Sequence, residues 1–396
     1  MVAGMLEIIL KSGRDRSVRR RHPWVLSGAV DRVEGTSEPG ALARVSSSDG
    51  ESLGFGHWSP ASSLRVRMLS FGKEPLEEAA FIDAAIGRAI GRRTPDLCGE
   101  TDGVRLINAE GDGLPGLVVD RYGDALVVRL TTAGMDRARP WLVDALRERT
   151  GASAALERAD ASAARREGFA PRDGLWWGEV AERVVLRERS REYLVDLVSG
   201  QKTGFYLDQR AARDRVQALA EGRRVLDLFC YSGGFSVAAA RGGAAKVVAV
   251  DRSEPALRLA RENIERNGLG SVPSVFQADA FEFARSCEDP FDLIVIDPPP
   301  LARHKRDVSK ATRAYKDVFM SAFRRASSDA YVLCFGCSHH VGPDLFRKVV
   351  FGASLDAGRR LQVLEEFGAG PDHPVSIDHP EGRYLTGLLL RMESGG

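Results

Sequence analysis

In Leu64-Arg65-Val66-Arg67-Met68-Leu69, apolar and charged residues alternate, the pattern of a half-buried strand. Ser52-Leu53-Gly54-Phe55-Gly56-His57-Trp58 reads the same way, and its glycines mark bulges or close backbone approach. Residues 1–72 therefore predict a small β-rich module. From 73 to 182 the texture is mixed: Pro75–Arg92 carries apolar positions at helical spacing, and strand-like runs follow at Val104–Ile107, Leu117–Val119 and Ala125–Leu130. A helix is expected over Asp136–Arg149. Turn formers crowd Glu110-Gly111-Asp112-Gly113-Leu114-Pro115-Gly116, so this part reads as an α+β middle domain. Val184–Arg189 and Tyr193–Leu197 predict a β-hairpin within 183–200.

The pattern then changes. Val225–Phe229, Lys246–Asp251, Phe291–Asp297 and Ala330–Phe335 are short continuous apolar runs, each followed by a helix-like segment. Strands buried on both faces of a parallel sheet have this signature. Residues 201–396 thus predict an α/β, Rossmann-like domain.

Composition narrows the class without choosing a function. The 396 residues are 43% hydrophobic and 28% charged with a net charge of +1, an ordinary globular balance that leaves partners to local charge. No apolar run approaches the roughly 18 residues of a membrane span. Met5–Leu10 is too short for a signal-peptide core. Five scattered cysteines argue against a disulfide framework and for a reducing, cytoplasmic compartment.

Candidate chemistry collects at the ends of the C-terminal strands. Val225-Leu226-Asp227-Leu228-Phe229-Cys230-Tyr231-Ser232-Gly233-Gly234-Phe235 is a strand running into a helix through small residues, where backbone can approach a ligand closely. Asp251 closes the next strand, where doubly wound folds place an acid on a ribose diol. The loop is not G-x-G-x-x-G; its Asp-x-Phe-x-x-x-Gly-Gly-Phe resembles motif I of class I S-adenosylmethionine methyltransferases. Asp279-Ala280-Phe281 ends a third strand-like segment. Asp297-Pro298-Pro299 ends the fourth, either as a plain terminator or as a rigid mount for a carboxylate. Cys334 lies inside an apolar run and reads as inert core, whereas Cys337 stands two residues past the strand on the same edge as Asp297. His339 and His340 beside it, with His373 and His379 beyond, match no zinc spacing, so no metal is expected. Two basic clusters point to nucleic acid: Lys11 to His22, rich in arginine, and Arg303, His304, Lys305, Arg306, Lys310, Arg313 and Lys316 after Asp-Pro-Pro.

Taken together, these strings resemble the bacterial large-subunit ribosomal RNA cytosine-5 methyltransferase I family over essentially the whole chain. The N-terminal part is similar to a PUA domain. Arg105-Leu106-Ile107-Asn108-Ala109-Glu110-Gly111-Asp112-Gly113-Leu114-Pro115-Gly116-Leu117-Val118-Val119-Asp120-Arg121-Tyr122 resembles the family's middle-domain signature. Lys202-Thr203-Gly204-Phe205-Tyr206-Leu207-Asp208-Gln209-Arg210 resembles the segment that precedes the catalytic fold. The resemblance implies S-adenosyl-L-methionine as cofactor, lined by Lys202, Phe205, Tyr206, Asp227, Asp251 and Asp279. The loop residues Phe229, Tyr231, Ser232 and Gly233, the neighbours Arg252 and Ala280, and Asp297 join the same site. It further implies Cys337 and Asp297 as the groups for base chemistry: thiolate addition at carbon 6 of cytosine, then methylation at carbon 5. The chain departs from the family at Pro300, where Lys or another polar residue is common, and at Gly336, where Ser is common.

The implied partner is 23S ribosomal RNA or a large-subunit precursor, with no membrane; a homodimer through the middle domain or the hairpin stays open. Two rivals are carried forward. One is a same-fold RNA methyltransferase acting on a base nitrogen, since Asp-Pro-Pro also resembles amino-methyltransferase motifs. The other is a non-catalytic RNA-binding ribosome assembly factor.

Overall fold

The computed structural model describes residues 5–302, 304–338 and 340–393. Arg303 and His339 lie outside the described residues. The chain forms two compact units that do not follow its linear order. The first takes residues 1–184, 196–205 and 371–382; the second takes 185–195, 206–370 and 383–396.

The first unit holds two sheets. The N-terminal strands form a six-stranded sheet in the order Trp24–Leu26, Leu64–Phe71, Ser52–Trp58, Leu42–Ser46, Leu6–Leu10, Val30–Glu34. The glycines of Ser52–Trp58 act as their spacing predicts. A Cβ on Gly54 would sit 2.2 Å from Ser70 O, and one on Gly56 would sit 2.3 Å from Arg67 O, at a register shift. The second sheet runs Gly174–Trp177, Ala154–Glu157, Ala125–Leu130, Leu117–Tyr122, Gly103–Asn108. Helices Glu78–Gly91 and Arg139–Thr150 cover it, burying Ile82, Ile86, Leu142 and Leu146 against Ile107, Val119 and Val128. The helix expected over Asp136–Arg149 is two helices, Ala133–Arg137 and Arg139–Thr150. Pro140 explains the break: it has no N–H and opens a first turn, but it cannot extend an existing helix.

The second unit is built on one seven-stranded sheet. Its strands are β1 (Arg224–Leu228), β2 (Lys246–Asp251), β3 (Pro273–Gln277), β4 (Phe291–Ile296), β5 (Ala326–Gly336), β6 (Leu361–Phe367) and β7 (Thr386–Met392). They lie in the order β3-β2-β1-β4-β5-β7-β6. β1 to β5 are parallel, and β7 inserts antiparallel between β5 and β6. The order reverses at β1, with β2 on one side and β4 on the other, and α/β sheets bind ligands beyond the strand ends at such a point. Helices α1 (Arg210–Leu219), α2 (Gly234–Arg241), α3 (Glu254–Arg266), α4 (Ala280–Ser286), α5 (Val308–Arg325) and α6 (Pro343–Ala357) pack on the sheet. One core joins β1, β4 and β5 to α5 and α6 through Ile294, Ile296, Val332, Phe319, Phe323 and Phe346. The other joins Val225, Leu293 and Leu333 to Val216, Ala238 and Ala239 of α1 and α2. Among the described residues no helix is long and apolar enough to cross a membrane.

Candidate active site

The loop after β1 carries the most unusual backbone of this edge. Phe229 and Tyr231 have φ of 65° and 47°, and Gly233 has 79°. Left-handed backbone at a bulky residue costs of order 1–3 kcal/mol and persists where the surroundings over-determine it, most often at ligand sites. Three contacts fix this loop. Asp251 Oδ2 accepts the Tyr231 N–H at 3.0 Å, while its Oδ1 accepts Ser253 N–H at 2.9 Å. Asn263 Nδ2 donates to Ser232 O at 2.9 Å. A Cβ on Gly233 would stand 3.2 Å from Ala260 Cβ, so helix α3 closes the far side.

What the loop leaves unsatisfied is informative. Asp227 is 1% exposed; Ser236 Oγ donates to its Oδ2 at 2.6 Å, but its Oδ1 has no partner. Ser232 Oγ is likewise buried without one. Burial pushes the Asp227 carboxyl up to about 7, against the Ser236 hydrogen bonds that hold it down. An orphaned carboxylate oxygen and hydroxyl beside a strained loop fit a ligand with a cationic amino-acid part and hydroxyls. The Asp251 carboxylate retains lone pairs for a diol. Asp279 caps α4, its Oδ1 accepting Phe281 and Glu282 N–H, and stays exposed; Ala280 is buried beneath it. Phe281 meets Phe229 edge-on at 5.4 Å. Arg252 points to solvent.

Beyond β4 and β5, the second group assembles. These strands pair in parallel with Ile296 opposite Cys334, so Asp297 and Cys337 leave adjacent strands at one edge. The Cys337 thiol donates to Pro298 O at 3.6 Å. Gln209 Nε2 donates to Asp297 Oδ2 at 3.1 Å, and Gln209 Oε1 is buried with no partner. Tyr206 links the two groups: its ring meets Tyr231 edge-on at 5.6 Å. Burial, then Asp297 and Cys337, push its phenol far up, so it stays neutral. Cys334 is fully buried, its thiol pushed well up by burial alone, and is core as the sequence predicts.

Lys202 and Phe205 belong to the first unit. There the middle-domain signature holds their segment. Arg105 grips the buried Asp120 through two bonds of 2.7 and 2.8 Å, and Thr203 Oγ1 donates to Asp120 Oδ2 at 2.5 Å. The Tyr122 hydroxyl lies 3.0 Å from Thr203 Oγ1 and accepts the Phe205 N–H at 3.2 Å. Lys202 has φ 53°.

Residues 141–374 match the S-adenosylmethionine-dependent methyltransferase family, and residues 8–71 match a PUA-like domain. A ribosomal RNA large subunit methyltransferase I from Shewanella denitrificans is 42% identical over 98% of this chain and 99% of its own length. One of the same name from Aeromonas hydrophila is 41% identical over 97% and 98%. The chain belongs to the ribosomal RNA large subunit methyltransferase I family. A solved methyltransferase structure, SMU.776 complexed with SAH, shares the fold with a TM-score of 0.85 at 22% identity, covering 98% of this chain and 100% of that one. The cofactor is S-adenosylmethionine, and the fold is the expected one: a PUA-like β domain and a C-terminal Rossmann-like methyltransferase domain.

Gly336 stands against a packed neighbour. A Cβ there would lie 2.8 Å from the Phe346 ring. Ser338, next after Cys337 in the chain, is buried, and its Oγ accepts Ala302 N–H at 3.2 Å and lies 3.3 Å from the Tyr315 hydroxyl. Pro300 is exposed. Sequence reasoning missed Gln209, Ser236 and Asn263 as site residues. Gln209 stood in the Lys202–Arg210 string, and Ser236 in the first turn of the motif I helix, so position alone offered a signal.

Proposed function

We propose that this protein methylates carbon 5 of a cytosine in large-subunit ribosomal RNA, with Cys337 as nucleophile and Asp297 as the base-binding carboxylate. The observation that supports this reading is the meeting of the Cys337 thiol with Pro298 O at 3.6 Å, beside a carboxylate held by Gln209. The RNA assignment draws on the relatives' name and on the PUA-like domain. On this reading residues 1–72 contact RNA, 73–182 and the 183–200 hairpin support the cofactor-facing segment, and 201–396 carry the chemistry, in the cytoplasm. Bound S-adenosylmethionine supplies an electrophilic methyl group on a sulfonium.

Carbon 5 of cytosine is a weak nucleophile until the ring is activated. The Cys337 sulfur bonds to carbon 6, and the electron pair displaced from the 5,6 double bond makes carbon 5 nucleophilic. Asp297 hydrogen-bonds the N3/N4 edge and steadies the adduct. After carbon 5 takes the methyl group a base removes its proton, the pair of that C–H bond re-forms the 5,6 double bond, and the carbon–sulfur bond breaks with its pair returning to the Cys337 sulfur. Tyr206, Asp227, Phe229, Tyr231, Ser232, Gly233, Asp251, Arg252, Asp279, Ala280 and Asp297 are assigned to the cofactor side of this site, and Lys202 and Phe205 keep the cofactor role that the family resemblance implies. The target base leaves its stack to enter.

The test is RNA containing 5-fluorocytosine, incubated with the protein and S-adenosylmethionine. A covalent protein–RNA adduct is expected, absent in Cys337→Ala, because fluorine cannot leave as a proton. Methyl transfer to ordinary RNA that survives in Cys337→Ala would overturn the carbon-5 reading in favour of a base nitrogen. Cofactor binding with no transfer to RNA or to ribosomal subunits would point to an assembly factor.

A further inference from the structure

Two asparagines at the end of α3 take no part in the methyl-transfer chemistry. Asn263 lies within the helix, and Asn267 caps it one turn later. Both are buried, Asn263 completely. Amides that deep persist where their hydrogen bonds are made. Theirs go to Arg191–Asp196, the second strand of the hairpin. Asn263 Oδ1 accepts the Leu194 N–H at 2.6 Å. Asn267 Oδ1 accepts the Glu192 N–H at 3.1 Å, and its Nδ2 donates to Glu192 O at 2.6 Å and to Asn263 O at 2.7 Å.

The spacing explains why a helix can serve this strand. The hairpin is a two-stranded sheet, so each strand keeps one edge without a ladder partner. Glu192 and Leu194, two residues apart, present their backbone groups on the same edge. Such residues lie roughly 6.6 Å apart along a strand, and residues i and i+4 of a helix are separated by a rise of about 6 Å. The asparagine pair therefore meets the strand in register, and its amides replace a missing third strand. Between the two contacts, Tyr193 is fully buried, and its hydroxyl donates to Gly234 O, at the start of α2, at 3.1 Å.

The two amides differ in what they do with their remaining hydrogen. Both Nδ2 hydrogens of Asn267 are spent on Glu192 O and Asn263 O. Asn263 instead donates to Ser232 O at 2.9 Å, inside the turn where Tyr231 and Gly233 take φ of 47° and 79°. Its orientation is fixed: exchanging its oxygen and nitrogen would set donor against donor at Leu194 and acceptor against acceptor at Ser232. One buried side chain thus bonds the hairpin strand at one end and the strained turn at the other.

We infer that Asn263 is a positioning residue for S-adenosylmethionine: its amide, oriented by the Leu194 N–H, holds the Ser232 carbonyl and with it the turn that receives the cofactor. The inference rests on the assignment of Phe229–Gly233 to the cofactor, and it is independent of which atom of the base is methylated. Coupling of this kind is reciprocal, so a cofactor that tightens the turn also tightens the docked strand.

The experiment pairs calorimetric titration of S-adenosylmethionine with amide hydrogen exchange, on the full chain and on Asn263→Leu and Asn267→Leu. In wild type the cofactor should slow exchange both in the 229–233 turn and in the 191–196 strand. Asn263→Leu should weaken the cofactor roughly 3- to 10-fold, the range that one net buried hydrogen bond spans. Exchange in its strand should no longer respond to the cofactor. Asn267→Leu should speed exchange in the strand while leaving cofactor affinity near wild type. Wild-type affinity in Asn263→Leu overturns the inference, and so does an equal loss in both variants, which hairpin stability alone would produce. If Asn263→Leu does not fold, wild type decides: a strand indifferent to the cofactor, beside a turn that responds, overturns the inference. A turn that does not respond either overturns the assignment of that loop to the cofactor.

Discussion

Glu188 is a single carboxylate serving buried guanidiniums of its own hairpin and of helix α1. Its oxygens accept Arg213 Nε at 2.8 Å, Arg213 Nη2 at 2.5 Å and Arg191 Nη2 at 2.9 Å, with Arg210 Nε at 3.6 Å. Glu188 and Arg191 are fully buried, and Arg213 is 2% exposed. Burial by itself would raise the Glu188 carboxyl, but Arg213, Arg191 and Arg210 override it and hold it below the ordinary range. Glu188→Ala removes the anion and leaves cations facing apolar space, which costs about 3–5 kcal/mol. Against the roughly 5–15 kcal/mol that typically holds a domain, that is about a fifth or more. The second unit has no tryptophan, all five lying in the first. Urea unfolding followed by far-ultraviolet circular dichroism should therefore show the loss, while tryptophan fluorescence reports the first unit separately. Because the folded carboxyl is depressed, its contribution is present above the ordinary carboxylate range and is lost as pH falls through the folded value. The gap between wild type and variant should narrow on acidification. Arg213 also donates to Tyr206 O at 2.8 Å, so S-adenosylmethionine affinity should weaken along with stability. A loss under about 1 kcal/mol, or a gap that widens in acid, would refute the reasoning.

Two further perturbations probe the site. Asp227, raised to about 7 by burial, carries a proton in the folded protein between the unfolded value near 3.8 and 7, so stability falls as pH rises through that window. The cationic cofactor prefers the carboxylate, so its affinity should rise between about pH 6 and 8 in wild type and stay flat in Asp227→Asn; calorimetry showing a flat wild-type profile would sink this. Gln209→Leu removes the donor to Asp297 Oδ2. A hydrogen bond to a charged group contributes about 1.5–3 kcal/mol, so kcat should drop roughly 10- to 100-fold with cofactor affinity intact, and an unchanged kcat would count against the assigned role.

Much of the second unit was legible because its determinants are local. Continuous apolar runs marked β1, β2, β4 and β5, and motif I spelled out the strained turn at Phe229–Gly233. Strands β6 and β7 went unread: Leu361–Phe367 is exposed at alternate and adjacent positions alike, so neither period shows. Strand β5 begins four residues earlier than its apolar run, since Ala326 pairs with Phe291 before a register shift and Asp329 takes φ 60°. The missing pieces of the site were pairings across long separations. Thr203 reaches Asp120, Gln209 reaches Asp297 and Asn263 reaches Ser232. Each is a polar residue whose type is unremarkable until the fold supplies its partner. Basic residues were legible as clusters, but which of them are neutralised was not: Arg19 and Arg20 are adjacent, and only the first has acids to meet.

The placement of β7 has a consequence for how the chain matures. It is the last strand in chain order, yet it sits inside the sheet with β5 on one side and β6 on the other. The first unit likewise takes in residues 371–382, whose Asp372 and Pro374 carbonyls receive Arg93 and Asn108 from far upstream. At a synthesis rate of about 5–20 residues per second, the roughly 50 residues from the end of β5 at Gly336 to the start of β7 at Thr386 take about 3–10 seconds to emerge. Over that interval β5 presents an unpaired edge, the surface most open to pairing with the wrong strand. A nascent chain that stalls before this stretch therefore leaves the second unit's sheet unfinished, while the apolar cores of the first unit are already in hand from residues up to Trp177.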